Sequence, residues 1–226
     1  MPAGVIAPFD LLPPLLPGLR TTVVITALAT LVAVPAALVA GTARSRGGPL
    51  VRRAAAVYVE TFRGTSALVQ LFWAYFALPL FGLHVPAGAA AVCVLGLNTG
   101  AYGAEVVRGA LAAVSQGQLD AAAALGFPPV TRFVRVVLPQ ALPNAIRPWG
   151  NLQIELLKNT SLVALVTLSD LTFRAQTLVA VRLDRQAEIL TVVLALYFAL
   201  SLGITFVMRG LDRIASRGLD RGTGAA

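Results

Sequence analysis

Six charged residues stand in three acid-then-base pairs at i, i+3: Glu60 with Arg63, Glu105 with Arg108, and Glu155 with Lys158. On a helix that spacing puts both groups on one face. All three pairs lie within or beside long apolar runs. There, pairing lowers the cost of burying charge, and ionisable side chains face a bundle interior or a wet cavity. A lock on helix ends at the membrane interface suits Glu60/Arg63 and Glu105/Arg108, which fall near expected inner ends. Glu155/Lys158 falls deeper, and a structural pair and a solute pathway stand level there. Opposite charges beside the carboxamides of Asn98 and Asn159 would complement a zwitterion without leaving net buried charge. The pathway candidates are therefore Asn98, Glu155, Lys158 and Asn159.

Other chemistries lack their residues. A phosphate-cradling loop needs a glycine-rich turn ending Gly-Lys-Ser/Thr, and the one lysine stands in Glu155-Leu-Leu-Lys158-Asn159. His84, the single histidine, sits beside Pro86 in an apparent turn and leaves neither a Ser-His-Asp triad nor a metal pair. Cys93 is alone in an apolar run, read as packing, with no disulfide framework. The chain is expected to be no enzyme by itself and to hold no metal or cofactor.

With 57% hydrophobic and 12% charged residues, and a mean hydropathy of +0.79, the composition is that of a membrane protein. The net charge of +8 could suggest nucleic acid. Its basic residues, however, cluster in short connections beside apolar runs, as the positive-inside rule expects, and not on a soluble face with stacking aromatics. No nucleic-acid partner is expected.

The elements that must position these residues follow from the uncharged stretches. The expectation is an all-α polytopic membrane protein of about five transmembrane helices. They fall near 20–42, 57–79, 88–111, 149–168 and 189–208. Residues 1–18, rich in proline, make an external N-terminal segment, 19–209 a single membrane domain, and 210–226 a basic cytoplasmic tail. Arg44, Arg46, Arg52 and Arg53 around Gly47-Gly48-Pro49 read as a cytoplasmic turn, which puts the N-terminus outside and the C-terminus inside. A mixed-charge stretch, 170–188, is placed outside. Gly96, Gly100 and Gly103 lie on a narrow stripe suited to close helix packing.

Between the third and fourth spans runs 115–139, neither lipid-like nor a tail. Ser115 and Gln118 suggest a capping box, and Asp120 a charge favourable to the helix dipole. Gly126 with Pro128-Pro129 should end this helix, and Pro139 a second segment that begins at Val130. The order Asp120-Ala121-Ala122, Gly126, then Val136 with Leu138-Pro139 resembles the EAA loop of the membrane subunits of binding-protein-dependent ABC importers. In that family the loop docks on the ATPase. Asp120 departs from the family's usual Glu by one methylene.

Three further stretches resemble signatures of the polar-amino-acid branch of these permeases: Tyr58 through Phe72, Leu97 through Gly109, and Gly150 through Leu162. The wording at 65–73 and 154–172 is most like that of permeases for ectoine and hydroxyectoine.

The resemblance implies a permease subunit of the bacterial plasma membrane, coupled through Asp120, Ala121, Ala122, Gly126, Leu138 and Pro139. It also implies a second permease subunit, in a homo- or heterodimer, and two cytosolic ATPase subunits that bind ATP and Mg. An extracytoplasmic solute-binding protein would complete the set. The solute would be ectoine or hydroxyectoine, with glutamate, glutamine, a basic amino acid or an opine as alternatives. An ATPase-independent carrier or channel, and a membrane scaffold, are the readings from other classes.

Overall fold

Prolines at its start and arginines at its end let the first helix outrun its uncharged stretch. In α1 (Leu12–Arg46, 35 residues) Pro13 and Pro14 fall in the first turn, where a missing backbone N–H is no loss. Arg44 and Arg46 occupy the last turn, where cations suit the helix dipole. At its usual rise the helix is about 52 Å long, against a hydrocarbon core of ~30 Å. The structure, a computed structural model, describes residues 8–216. The outer parts of the expected N-terminal segment and basic tail, Arg217 and Arg221 included, lie outside these residues.

The stretch expected as a second span is not one rod. α2 (Pro49–Arg63) stops at Gly64 and the chain resumes as α3 (Ala67–Phe72), prolonged by a π turn at Trp73–Ala77 and a 3-10 turn at Leu78–Phe81. The two halves are bent by 99°. α4 (Ala87–Ala112) coincides with the stretch read at 88–111.

Next come α5 (Gln116–Ala124) and then α6 (Pro129–Arg132), a π turn at Phe133–Val137 and α7 (Leu138–Asn159) in one run. Pro139 does not stop this run as expected. A proline ring clashes with the carbonyl four residues back, and the wider π turn just before it, closed by Leu138 N–H to the Phe133 carbonyl, makes room. The helix gives way to a 3-10 turn, Thr160–Val166, that ends at Thr167 with a φ of +63°. α8 (Leu171–Val181) stands where a mixed-charge connection is expected, because buried Asp170 caps it through the N–H groups of Thr172 and Phe173. α9 (Gln186–Ser216) follows. Among the described residues three helices are long and apolar enough to cross a bilayer, and five spans result if each bent pair is one.

α4 is the central element. A methyl on Gly96 would lie 2.7 Å from Val32 Cβ, and one on Gly100 2.8 Å from Ala36 Cβ; Gly103 faces Ala37 and Trp149. Gly41 of α1 meets Ala104 and Val107 in the same way. The numbers rise together along both helices, so α1 and α4 run parallel. Lipid provides no hydrophobic drive between helices, so this van der Waals contact between small residues holds the pair. Ile25, Ala29, Leu71, Val94, Leu95 and Leu156 pack beside the stripe. Cys93, expected to pack, is exposed on α4.

Candidate functional site

Breaking a helix frees backbone carbonyls, and nearby side chains can take the place of the lost backbone bonds. At 64–66 two carboxamides do so. The Gln70 amide donates to the carbonyls of Phe62 (2.9 Å) and Thr65 (3.2 Å) and to Thr65 Oγ1 (2.7 Å). Asn98, from α4, donates to the same Phe62 carbonyl (3.0 Å) and to Gln70 Oε1 (3.2 Å). Tyr58 adds a bond from its hydroxyl to the Leu97 carbonyl at 2.7 Å, pinning α2 to α4. Asn98 is 7% exposed. It braces the break through its bonds to Phe62 and Gln70. Gln70 is not among the candidates that the sequence suggests, although a lone carboxamide in an apolar run after Gly64 is a usable signal.

Below the break the charged pairs are rearranged. Glu60 and Arg63 do not pair with each other. Arg63 lies over the Tyr102 ring, 5.3 Å from its centroid, and Glu60 meets Arg44 of α1 at 3.3 Å. Arg44 also meets Glu105 at 2.6 Å, while Glu105 keeps its expected partner Arg108 at 2.8 Å. Spacing guarantees a shared helix face, but a neighbouring helix can offer a nearer partner, and α1 does. Two acids and two bases from three helices thus form one balanced cluster. Glu155 and Lys158 share the exposed face of α7 without an ion pair among the described residues, and Asn159 beside them is half-buried.

The 115–139 segment is built differently at its two ends. Ser115 is the N-cap of α5, but its side chain makes no capping bond, so the capping box is not formed. Its carbonyl instead accepts from the Gln118 N–H at 3.2 Å. Asp120 accepts from the Gln116 amide at 3.0 Å. The C-terminal end matches the expectation: Gly126 has a φ of +74°, the left-handed region that glycine enters without strain. The Phe127 N–H reaches the Ala122 carbonyl (3.1 Å) and the Gly126 N–H that of Ala123 (3.0 Å), which is a Schellman closure.

Leu119, Phe133 and Val137 anchor the segment to Leu111, Val114 and Ala141. From α1, the Arg46 guanidinium covers the Phe133 ring at 4.7 Å. Asp120, Ala121, Gly126, Leu138 and Pro139 are exposed, and Ala122 is buried. Leu125 and Val130 leave apolar surface beside them. The segment therefore presents one carboxylate and small or apolar groups on a firmly seated turn.

Known proteins share this architecture. Over 214 residues the chain is 42% identical to a probable amino-acid ABC transporter permease protein of Sinorhizobium fredii, covering 92% of this chain and 90% of that one. It is 35% identical over 204 residues to the glutamine transport system permease protein of Escherichia coli (89% and 93%). An L-cystine transport system permease protein of Bacillus subtilis is 32% identical over 223 residues (96% and 94%). The solved structure of an amino acid ABC transporter with histidines superposes with a TM-score of 0.84 at 31% identity, covering 94% of this chain and 99% of that one. Residues 33–219 match the family described as binding-protein-dependent transport system inner membrane component. The chain belongs to that family and is a membrane permease subunit, a component of transport.

Proposed function

We propose that this permease imports a polar amino acid or an amino-acid-like solute as one of two such subunits in an ABC importer. The observation that carries the reading is Glu155 with Lys158: opposite charges on one exposed face of α7, unpaired with each other. A charged side chain left to lipid at the bilayer centre costs about 2.5–3.5 kcal/mol on insertion scales, so this face meets a second subunit and a wet path. A solute with a carboxylate and a cationic nitrogen complements both charges. Relatives named for glutamine and cystine support the amino-acid class. Ectoine or hydroxyectoine is the narrower form of the proposal, resting on the wording at 65–73 and 154–172.

In this reading the N-terminus is outside and the C-terminus inside. Two cytosolic ATPases, which hold ATP and Mg, dock on the 115–139 segments, and a binding protein delivers solute from outside. Closure of the ATPases biases the helices between inward- and outward-facing arrangements.

The test is uptake of labelled glutamine, cystine and ectoine in cells with and without this gene, its partner genes intact. Loss of uptake of one solute, competed by its close analogues, identifies the cargo; loss of none refutes import of this class. Glu155→Gln should weaken uptake at normal expression, and unchanged kinetics would remove Glu155 from the path.

A further inference from the structure

We propose that Arg44 and Arg46 relay movement of the docking segment to the break between α2 and α3. The proposal rests on the reading that ATPases dock on 115–139. The two arginines stand two residues apart in the last turn of α1, so they point to opposite sides of the helix. Arg46 points to the docking side. It covers Phe133, which opens the π turn leading into α7 and packs in the same cluster as Leu119 of α5.

Arg44 points to the break. It bridges Glu60 and Glu105 on two different helices. Glu60 is one turn before the break, and its carbonyl takes the Gly64 N–H at 2.8 Å. A displacement at Phe133 therefore shifts the end of α1 and, through Arg44, the carboxylates that hold α2 against α4. The link nearest the break is the one built to open, since the Glu60 side chain is 66% exposed and that of Glu105 is 21% exposed. Both carboxylates meet one Arg44 nitrogen, Nη1, so a shift of the guanidinium changes both contacts together. Neither arginine belongs to the docking segment, and both act as positioning residues through their neighbours.

The experiment uses the permease with its ATPases and binding protein in proteoliposomes, reading solute moved per ATP hydrolysed and ATPase retained on the permease. Arg46→Ala and Arg44→Gln should each lower solute per ATP about tenfold, a coupling of ordinary size, with the ATPases still bound. Links in series fail once, so the double variant should be no worse than either single one. Arg46→Lys, which keeps a cation over the ring, should retain coupling. An unchanged ratio in either single variant with ATPases bound overturns the relay. So do losses that multiply in the double variant, or a loss in Arg46→Lys equal to that in Arg46→Ala. If no ATPase co-purifies with the native chain, the docking reading falls first, and the relay with it.

Discussion

Substituting Gly100 by Ala adds one methyl at a close approach of α1 and α4. The new Cβ would lie 2.8 Å from Ala36 Cβ, 3.0 Å from the Tyr58 hydroxyl oxygen and 3.2 Å from the Ala33 carbonyl oxygen. Carbon atoms prefer separations of about 3.5–4.0 Å, so α1 must move out by most of an ångström, and the Tyr58 hydroxyl, bonded to Leu97, must shift as well. Overpacking of this kind costs about 1–3 kcal/mol, offset by up to ~1 kcal/mol of helix propensity. A net loss of about 1–2 kcal/mol corresponds to a fall in Tm of roughly 2–8 °C for a chain of this size.

Thermal unfolding followed by tryptophan fluorescence in one detergent would read it, and the chain contains its own controls. A methyl added at Gly88 or Gly203 would meet nothing within 4 Å, so Gly88→Ala and Gly203→Ala should leave Tm unchanged or slightly raised. If Gly100→Ala is as stable as Gly203→Ala, helix contact at the glycine stripe is not what holds α1 to α4.

Three other outcomes are expected. Gly126→Ala places a side chain at φ +74°, costing about 1–2 kcal/mol; uptake should fall more than ATP hydrolysis, and equal falls would remove the turn from coupling. Asp170→Ala removes both capping bonds of α8 and should cost about 0.5–2 kcal/mol, while Asp170→Asn keeps most of it; equal Tm values for the two would refute the cap. Asp10 joins the N-terminal turn to the chain before α9 through Arg185 at 2.6 Å, and the bond from Arg185 holds its carboxyl below the usual carboxylate range. A depressed carboxyl stabilises above its unfolded value and loses that contribution as pH falls through the folded one. The Tm gap between the native chain and Asp10→Asn should therefore be open at neutral pH and close below about pH 4; a gap that persists in acid would refute this account.

Helices and membrane class were legible in the residues because they are local properties. An uncharged run at 21–43 or 189–208 needs no partner to declare a span, and Gly126 before two prolines declares a helix end by its own backbone freedom. The glycine stripe at 96, 100 and 103 announced close packing because helical spacing puts the three on one side. Partner choice was not legible. Glu60 and Arg63 share a face, yet Arg44 takes Glu60 because α1, 16 residues away in the chain, ends beside it. Asn98 reads as a polar group for solute, and its bond to the Phe62 carbonyl depends on a bend at 64–66 that its own surroundings in the chain do not announce. Pro139 reads as a stop until a π turn gives its ring room. Local patterns determined which elements form; which charges meet and where a helix opens was decided by distances across the fold, because a hydrogen bond or ion pair goes to the group that packing brings nearest.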